Sequence, residues 1–270
     1  MREFILAVQF LTIFPVKVRG GVPEEEMALS AIFFPVVGAL QGLLAVGVAY
    51  LSTRYLGEEI AAAIVVLALA VSNGGLHLDG LADTFDAIAV KSAGNGPADI
   101  TRRLAAMKDS TVGPIGVIAV IFAVLLKFLF LKTLISGLNR TEFFSFLVLA
   151  GVYSRWAMVP PMYYGRSARK DGLGRIFIEN LRPAVFLLAT LTAIVLSGLI
   201  YGLWLRQAYG VNKLVLLLVL LCGLFLFGLA SVKYSAKRFG GLTGDVFGAI
   251  SEISEVIFLL GVTVWLRRFI

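Results

Sequence analysis

Apolar stretches of about 20 residues recur from one end of this chain to the other, each long enough to cross a bilayer as a helix. Seven can be placed, at Ala28–Leu51, Ile60–Leu76, Val112–Ile135, Phe143–Met162, Ala184–Leu205, Leu214–Val232 and Val246–Leu266. Inside hydrocarbon every backbone N–H and C=O must be satisfied internally, which leaves helices or a closed barrel. The stretches are continuous rather than alternating, so the barrel is disfavoured. With 59% hydrophobic and 15% charged residues and a mean hydropathy of +0.92, the chain is not a soluble domain. The expected fold is therefore all-α: a polytopic integral membrane helical bundle of about seven transmembrane helices, forming one catalytic domain over residues 1–270. The apolar opening, Met1–Pro15, lacks a small-residue cleavage site and reads as an N-terminal interfacial or re-entrant helix rather than a signal peptide. The single cysteine, Cys222, lies in an apolar run and reads as a small buried hydrophobe.

Charge orients the bundle. One set of connections holds Arg2, Lys17, Arg19, Lys91, Arg102, Arg103, Lys108, Arg166, Arg169, Lys170, Arg175, Arg182, Lys233, Lys237 and Arg238, which is 15 of the 24 Lys and Arg residues. The opposite set holds Arg54, Arg140, Arg206, Lys213, Arg267 and Arg268. The positive-inside rule puts the first set, with the N-terminus, in the cytoplasm of a bacterial-type inner membrane. The long polar loops fall on that side too. A transporter more often lines a path through the midplane, so the asymmetry points to a one-sided active site. Topology accounts for this basic charge, and nucleic acid is not an expected partner. Specific contacts from the loop 163–182 are left open.

The most chemically loaded segment is Gly74-Gly75-Leu76-His77-Leu78-Asp79-Gly80-Leu81-Ala82-Asp83-Thr84-Phe85-Asp86-Ala87. Asp79, Asp83 and Asp86 share one helical face. Three acids beside a membrane repel one another and are costly to keep ionised without a cation. Mg²⁺ is the simplest candidate, since it takes hard oxygen ligands and shares them with substrate phosphates. The preceding Ser72-Asn73-Gly74-Gly75 breaks its span. A second acidic cluster, Asp245, Glu252 and Glu255, follows the glycine-rich turn Gly240-Gly241-Leu242-Thr243-Gly244 and again shares a face. Such a turn at a helix start offers free N–H groups to an anion. The two clusters suggest one shared metal site.

Between them, Ser92–Asp99 has the glycines and proline of a helix start, and a short cytoplasmic helix with Arg102, Arg103 and Lys108 follows. It reads either as topological charge or as a lid holding a pyrophosphate. Arg155 is a guanidinium near the cytoplasmic end of its span, paired with an acid or a phosphate. No G-x-x-x-x-G-K-[ST] loop is present, which excludes a P-loop NTPase. The spacing around Asp79-Gly80, with Leu76 three residues before it and no Ala-Arg after it, does not fit the CDP-alcohol transferases.

The Gly74–Ala87 stretch resembles the signature of the adenosylcobinamide-GDP ribazoletransferase (cobalamin synthase) family. Agreement in order comes from Gln9-Phe10-Leu11-Thr12-Ile13-Phe14-Pro15-Val16, Met107-Lys108-Asp109-Ser110, Gly172-Leu173-Gly174 with Phe177-Ile178, and Gly240–Asp245 with its trailing glutamates. The likeness covers essentially the whole chain. It implies a membrane enzyme that joins adenosylcobinamide-GDP to α-ribazole or its 5′-phosphate and releases GMP, using Mg²⁺. On that reading Asp79, Asp83 and Asp245 hold the metal, with Asp86, Glu252 or Glu255 completing the site. His77 or a carboxylate accepts the hydroxyl proton. Lys108 and Arg155 stabilise the leaving GMP. Asn73, Gly74, Gly75, Arg102, Arg103, Asp109, Ser110, Gly240, Gly241 and Thr243 contact substrate. A divalent-cation or organic-anion transporter, or another nucleotide-diphosphate alcohol phosphotransferase, is the alternative. The number of copies in the functional unit, self-association included, stays open.

Overall fold

Proline and glycine punctuate the chain into helices, and the structure, a computed structural model, describes residues 1–16, 18, 20–206 and 210–269. Lys17 and Arg19, counted above with the cytoplasmic charge, lie outside the described residues. In chain order come α1 (Arg2–Leu11), α2 (Glu24–Leu29), a 3₁₀ turn leading into α3 (Phe34–Tyr55), α4 (Glu58–Ser72), α5 (Leu76–Ala89), α6 (Gly96–Ala106) and α7 (Pro114–Gly137). They are followed by α8 (Arg140–Trp156), α9 (Val159–Tyr164), α10 (Leu173–Asn180), α11 (Pro183–Ile200) with a wide turn to Leu205, α12 (Gly210–Phe239) and α13 (Gly244–Phe269). Proline occupies the first turn of α3, α6, α7, α9 and α11, where its missing N–H costs no helical hydrogen bond. Asn139 caps α8 by accepting from Glu142 N at 3.0 Å.

Among the described residues, six helical stretches are long and apolar enough to span a membrane, and the pair α4 and α5 makes a seventh if taken together. That pair is bent by 86°. Gly74 and Gly75, at φ +67° and +75°, turn the chain there through the left-handed region that other residues avoid. The break expected at Ser72–Gly75 is therefore real. It removes Leu76 from the span and makes it the first residue of α5.

Burial sorts the helices into layers. The α8–α9 stretch is 94% buried, whereas α7, α11 and α12 are only 22% buried. The central helix is also the least apolar, as expected where lipid and not water surrounds the bundle. It packs on α3 at a glycine contact: a Cβ on Gly38 would lie 2.1 Å from the Gly151 carbonyl oxygen. Cys222 lies on the outer, exposed surface of α12 rather than in the core. The helix faces lipid there, and its apolar residues need no protein partner.

The opening helix is not a span. α1 is 10 residues long and lays Leu6, Ala7 and Leu11 on the bundle. Its Phe10 ring packs 5.8 Å from Phe34 and 5.0 Å from Phe177, tying α1, α3 and α10 together at one end. At that same end Arg182 pairs with Glu25, and Arg175 with Glu24.

Candidate active site

At the first turn of α13, glycines let two helices cross almost in backbone contact. A Cβ on Gly80 of α5 would stand 2.6 Å from the Asp245 carbonyl oxygen, and one on Gly248 would stand 3.2 Å from His77 Cα. This crossing joins the two acidic motifs, with Gly80 lying 165 residues before Asp245 in sequence. The charges of Asp79, Asp245 and Asp86 all bear on Asp83, and Arg169 opposes them. Asp245 Oδ2 accepts from Thr243 Oγ1 at 3.2 Å and lies 3.1 Å from Arg169 Nη2. Thr243 Oγ1 also accepts from Val246 N at 3.3 Å, capping α13.

A cleft of about 250 Å³ opens beside this crossing. Its walls include Phe10 of α1, His77 on α5, Met158, and two loop segments that run side by side. Leu242 N donates to Arg166 O at 2.8 Å and Ala168 N to Leu242 O at 2.9 Å, fixing residues 166–168 against 240–242. Gly241 makes that approach possible, since a Cβ there would meet Arg166 O at 2.5 Å. The pairing carries Ser167, Arg169 and Arg175 into the cleft opposite Thr243, Gly244 and Asp245. His77 is buried, with Nδ1 3.4 Å from Asn73 Nδ2. On the other flank, Gly74, Gly75, Asp79 and Ala82 line an apolar groove of about 580 Å³ against Val112, Val117 and Ile121 of α7 and its approach.

Several sequence expectations land elsewhere. Asp86 accepts from Gly113 N at 2.7 Å and Gly116 N at 2.8 Å, so both its oxygens cap α7. Gly113 and Gly116 are needed for this, because a Cβ on either would stand within 2.5 Å of the carboxylate. Glu252 and Glu255 lie two to three turns further into α13, about 10 Å or more from Asp245 along the helix. There they share Lys127, and Glu255 also meets Arg155 Nη1 at 3.1 Å. Arg155 is fully buried in this cluster and bonds Ser251 Oγ at 2.7 Å, not a cleft ligand. Sequence spacing put the three acids on one face correctly, but depth in the membrane separates them.

The expected lid residues divide in the same way. Asp99 receives Ala93 N at 3.0 Å, the Ser92 hydroxyl and Arg102, which together hold its carboxyl well below the usual range. Arg102 also donates to Lys91 O, and Arg103 is buried and donates to Arg238 O at 3.3 Å. Both arginines therefore fasten α6. Asp109 accepts from the Thr111 hydroxyl at 2.7 Å and its N–H at 2.9 Å, closing a turn that keeps its pKa below the usual range. Ser110 is exposed. Lys108 is 59% exposed and 4.0 Å from Asp171, within reach of the cleft wall. Gly240, at φ +79°, turns the loop and its carbonyl accepts from Arg166 Nε at 3.0 Å. Sequence reasoning left contacts from the Arg169 loop open, because topology already explained its charge, and did not single out Ser167. The signal was the neighbouring Gly172-Leu173-Gly174: a Cβ on Gly174 would stand 2.8 Å from Gly244 N, which pins the loop to α13.

The donor set fits a hard cation that keeps other oxygens in its shell. Asp79, Asp83 and Asp245 offer carboxylates, yet among the described residues no three His, Cys, Asp or Glu side chains converge tightly enough to hold an ion alone. Mg²⁺ is commonly bound in just this way, by one or two carboxylates plus substrate phosphates.

Fold and site together define an integral membrane protein with an acidic, arginine-faced cleft at one end of its helical bundle, suited to a phosphorylated ligand. Residues 3–263 match the Cobalamin-5-phosphate synthase family, and the chain belongs to it. A protein of Thermodesulfovibrio yellowstonii named adenosylcobinamide-GDP ribazoletransferase is 35% identical over 98% of this chain and 99% of its own length. Proteins of the same name from Klebsiella pneumoniae and Clostridioides difficile are 35% and 32% identical, each over 96% of this chain and over 98% and 96% of their own lengths. No solved structure matches.

Proposed function

We propose that this chain joins adenosylcobinamide-GDP to α-ribazole or its 5′-phosphate by Mg²⁺-assisted phosphoryl transfer, at the cytoplasmic face of the inner membrane. The observation that carries the reading is the α5–α13 crossing. It brings the Asp79–Asp83 motif beside Asp245, which itself lines an arginine-faced cleft, in a chain of the Cobalamin-5-phosphate synthase family. The charge asymmetry of the loops supports the cytoplasmic placement.

In this reaction a ribazole hydroxyl oxygen forms a bond to the cobinamide-bound phosphorus, and the bond from that phosphorus to the bridging oxygen of GMP breaks. The hydroxyl proton leaves to a base, and GMP carries away the electron pair. Such transfers need in-line positioning and charge neutralisation more than a covalent nucleophile. Bound Mg²⁺ would neutralise the diphosphate and the charge developing on it. Asp79, Asp83 and Asp245 would hold it. Arg169 and the free N–H groups at the start of α13 would bind the phosphates, with Lys108 at the rim. His77 or a carboxylate not engaged with the metal would take the proton. The apolar groove beside Asp79 suits the flat base of the acceptor.

Turnover by the detergent-purified chain tests this. Given both substrates and Mg²⁺, GMP and cobalamin should appear together and cease on chelation. A folded protein that releases neither would overturn the reading.

A further inference from the structure

Arg169 sits on the loop before α10 with 19% of its side chain exposed, and it lines the cleft. Its Nη2 is 3.1 Å from Asp245 Oδ2, yet Nε and Nη2 are both buried and make no hydrogen bond. The two charges attract one another without being aligned. Asp245 Oδ2 already takes the Thr243 hydroxyl. An enclosed guanidinium with idle donors is an under-satisfied group, and its planar fork matches a phosphate. The other cations near the cleft are placed differently. Arg175 is held between Glu24 and Glu179, and Lys108 stands out in solvent beside Asp171.

We propose that Arg169 is an exchangeable counter-ion. In the empty site it neutralises Asp245. When the diphosphate enters, Arg169 turns its fork to a phosphate and hands the Asp245 carboxylate to the metal. This rests on the metal-phosphate reading of the site given above. Its consequence is coupling: metal on Asp245 frees Arg169 for phosphate, and phosphate on Arg169 frees Asp245 for metal. By linkage the two enhancements must be equal.

Binding measured on the full detergent-purified chain tests the exchange, with Mn²⁺ followed by electron paramagnetic resonance and GDP as the anionic probe. In the wild type, saturating GDP should tighten Mn²⁺ by about fivefold or more. Arg169→Gln should bind Mn²⁺ alone about fivefold tighter than the wild type, and GDP should add little. Arg169→Lys keeps the charge, so its affinity for Mn²⁺ alone should match the wild type while its GDP affinity falls. A metal-free arm uses Asp245→Asn, which should bind GDP more tightly than the wild type because Arg169 has lost its partner. Unchanged or weaker Mn²⁺ binding by folded Arg169→Gln, or weaker GDP binding by folded Asp245→Asn, would overturn the exchange while leaving the site reading intact. A wild type that binds no Mn²⁺, with or without GDP, would overturn both.

Discussion

Arg155 Nε donates to Gln41 Oε1 at 2.8 Å, deep in the bundle. Through that bond the buried charge cluster reaches the break that precedes the acidic motif. The amide nitrogen of Gln41 donates in turn to Leu11 O at 3.0 Å and Ser72 Oγ at 3.1 Å. Ile13 N completes the junction on Ser72 O at 3.0 Å. One side chain of α3 thus fixes the end of α1, the end of α4 and the direction in which α5 sets out.

Gln41→Leu should leave these groups unpaired while keeping shape. We expect a loss of roughly 1–3 kcal/mol in stability from the orphaned polar groups. Turnover should fall further, by about 100-fold, if α5 shifts by an ångström. Steady-state kinetics beside a thermal melt checks this; a stability loss with unchanged kcat would reduce Gln41 to a packing role.

Replacing Asp79 or Asp83 by Ala should abolish detectable turnover while the helical signal and elution profile stay those of the wild type. An active, well-folded double variant would sink the metal site.

Lys127 is buried between Glu252 and Glu255. Lys127→Leu leaves Glu252 without a cation and Glu255 with Arg155 alone, and should destabilise by about 3–5 kcal/mol. Adding Glu252→Gln should recover part of that loss, because one uncompensated charge goes with it. Melting temperatures of the two variants, compared in one detergent, decide it.

Gly151→Ala puts a methyl against the Gly38 carbonyl, where a Cβ would stand 2.1 Å away. α3 and α8 must separate, at a cost of about 1–3 kcal/mol or more. The Cys222 thiol, far out on α12, offers a harmless labelling site for monitoring unfolding. A Gly151→Ala protein as stable as the wild type would show that this contact can relax.

The α6 anchor should be acid-sensitive. Asp99 has a folded pKa below its unfolded value near 4, so its contribution is present above that value and fades as pH falls through the folded one. Amide exchange across residues 92–106 should therefore quicken below about pH 4 relative to the rest of the chain. Asp99→Asn should show fast exchange at every pH. If wild-type protection there is flat from pH 6 to 3, Asp99 does not fasten the helix.

These predictions also mark what the sequence made legible. Continuous apolar runs are a strong signal and located the spans, and the Ser72–Gly75 cluster marked the break. The acidic motif was equally visible, because carboxylates at the edge of an apolar run have few innocent explanations. What the linear pattern could not separate was depth. Glu252 and Asp245 share a helix face, and only the position of Lys127, on another helix, shows that one is a buried ion-pair partner. Asp86 was hidden for a similar reason: its partners are backbone N–H groups of Gly113 and Gly116, which have no side-chain signature. Arg169 was masked by its neighbours, since one arginine in a basic loop looks like any other until the fold pairs that loop with the start of α13.

The charge cluster has a consequence for how the protein is made. Lys127 and Arg155 enter the membrane on α7 and α8, but the acids that neutralise them arrive later, on α13. Until α13 is made, two cations sit in the membrane without these counter-ions. Assembly of the bundle thereby waits on α13. A chain stopped before residue 244 would hold Lys127 and Arg155 in the bundle interior without these acids, and should be markedly less stable than the full helical set.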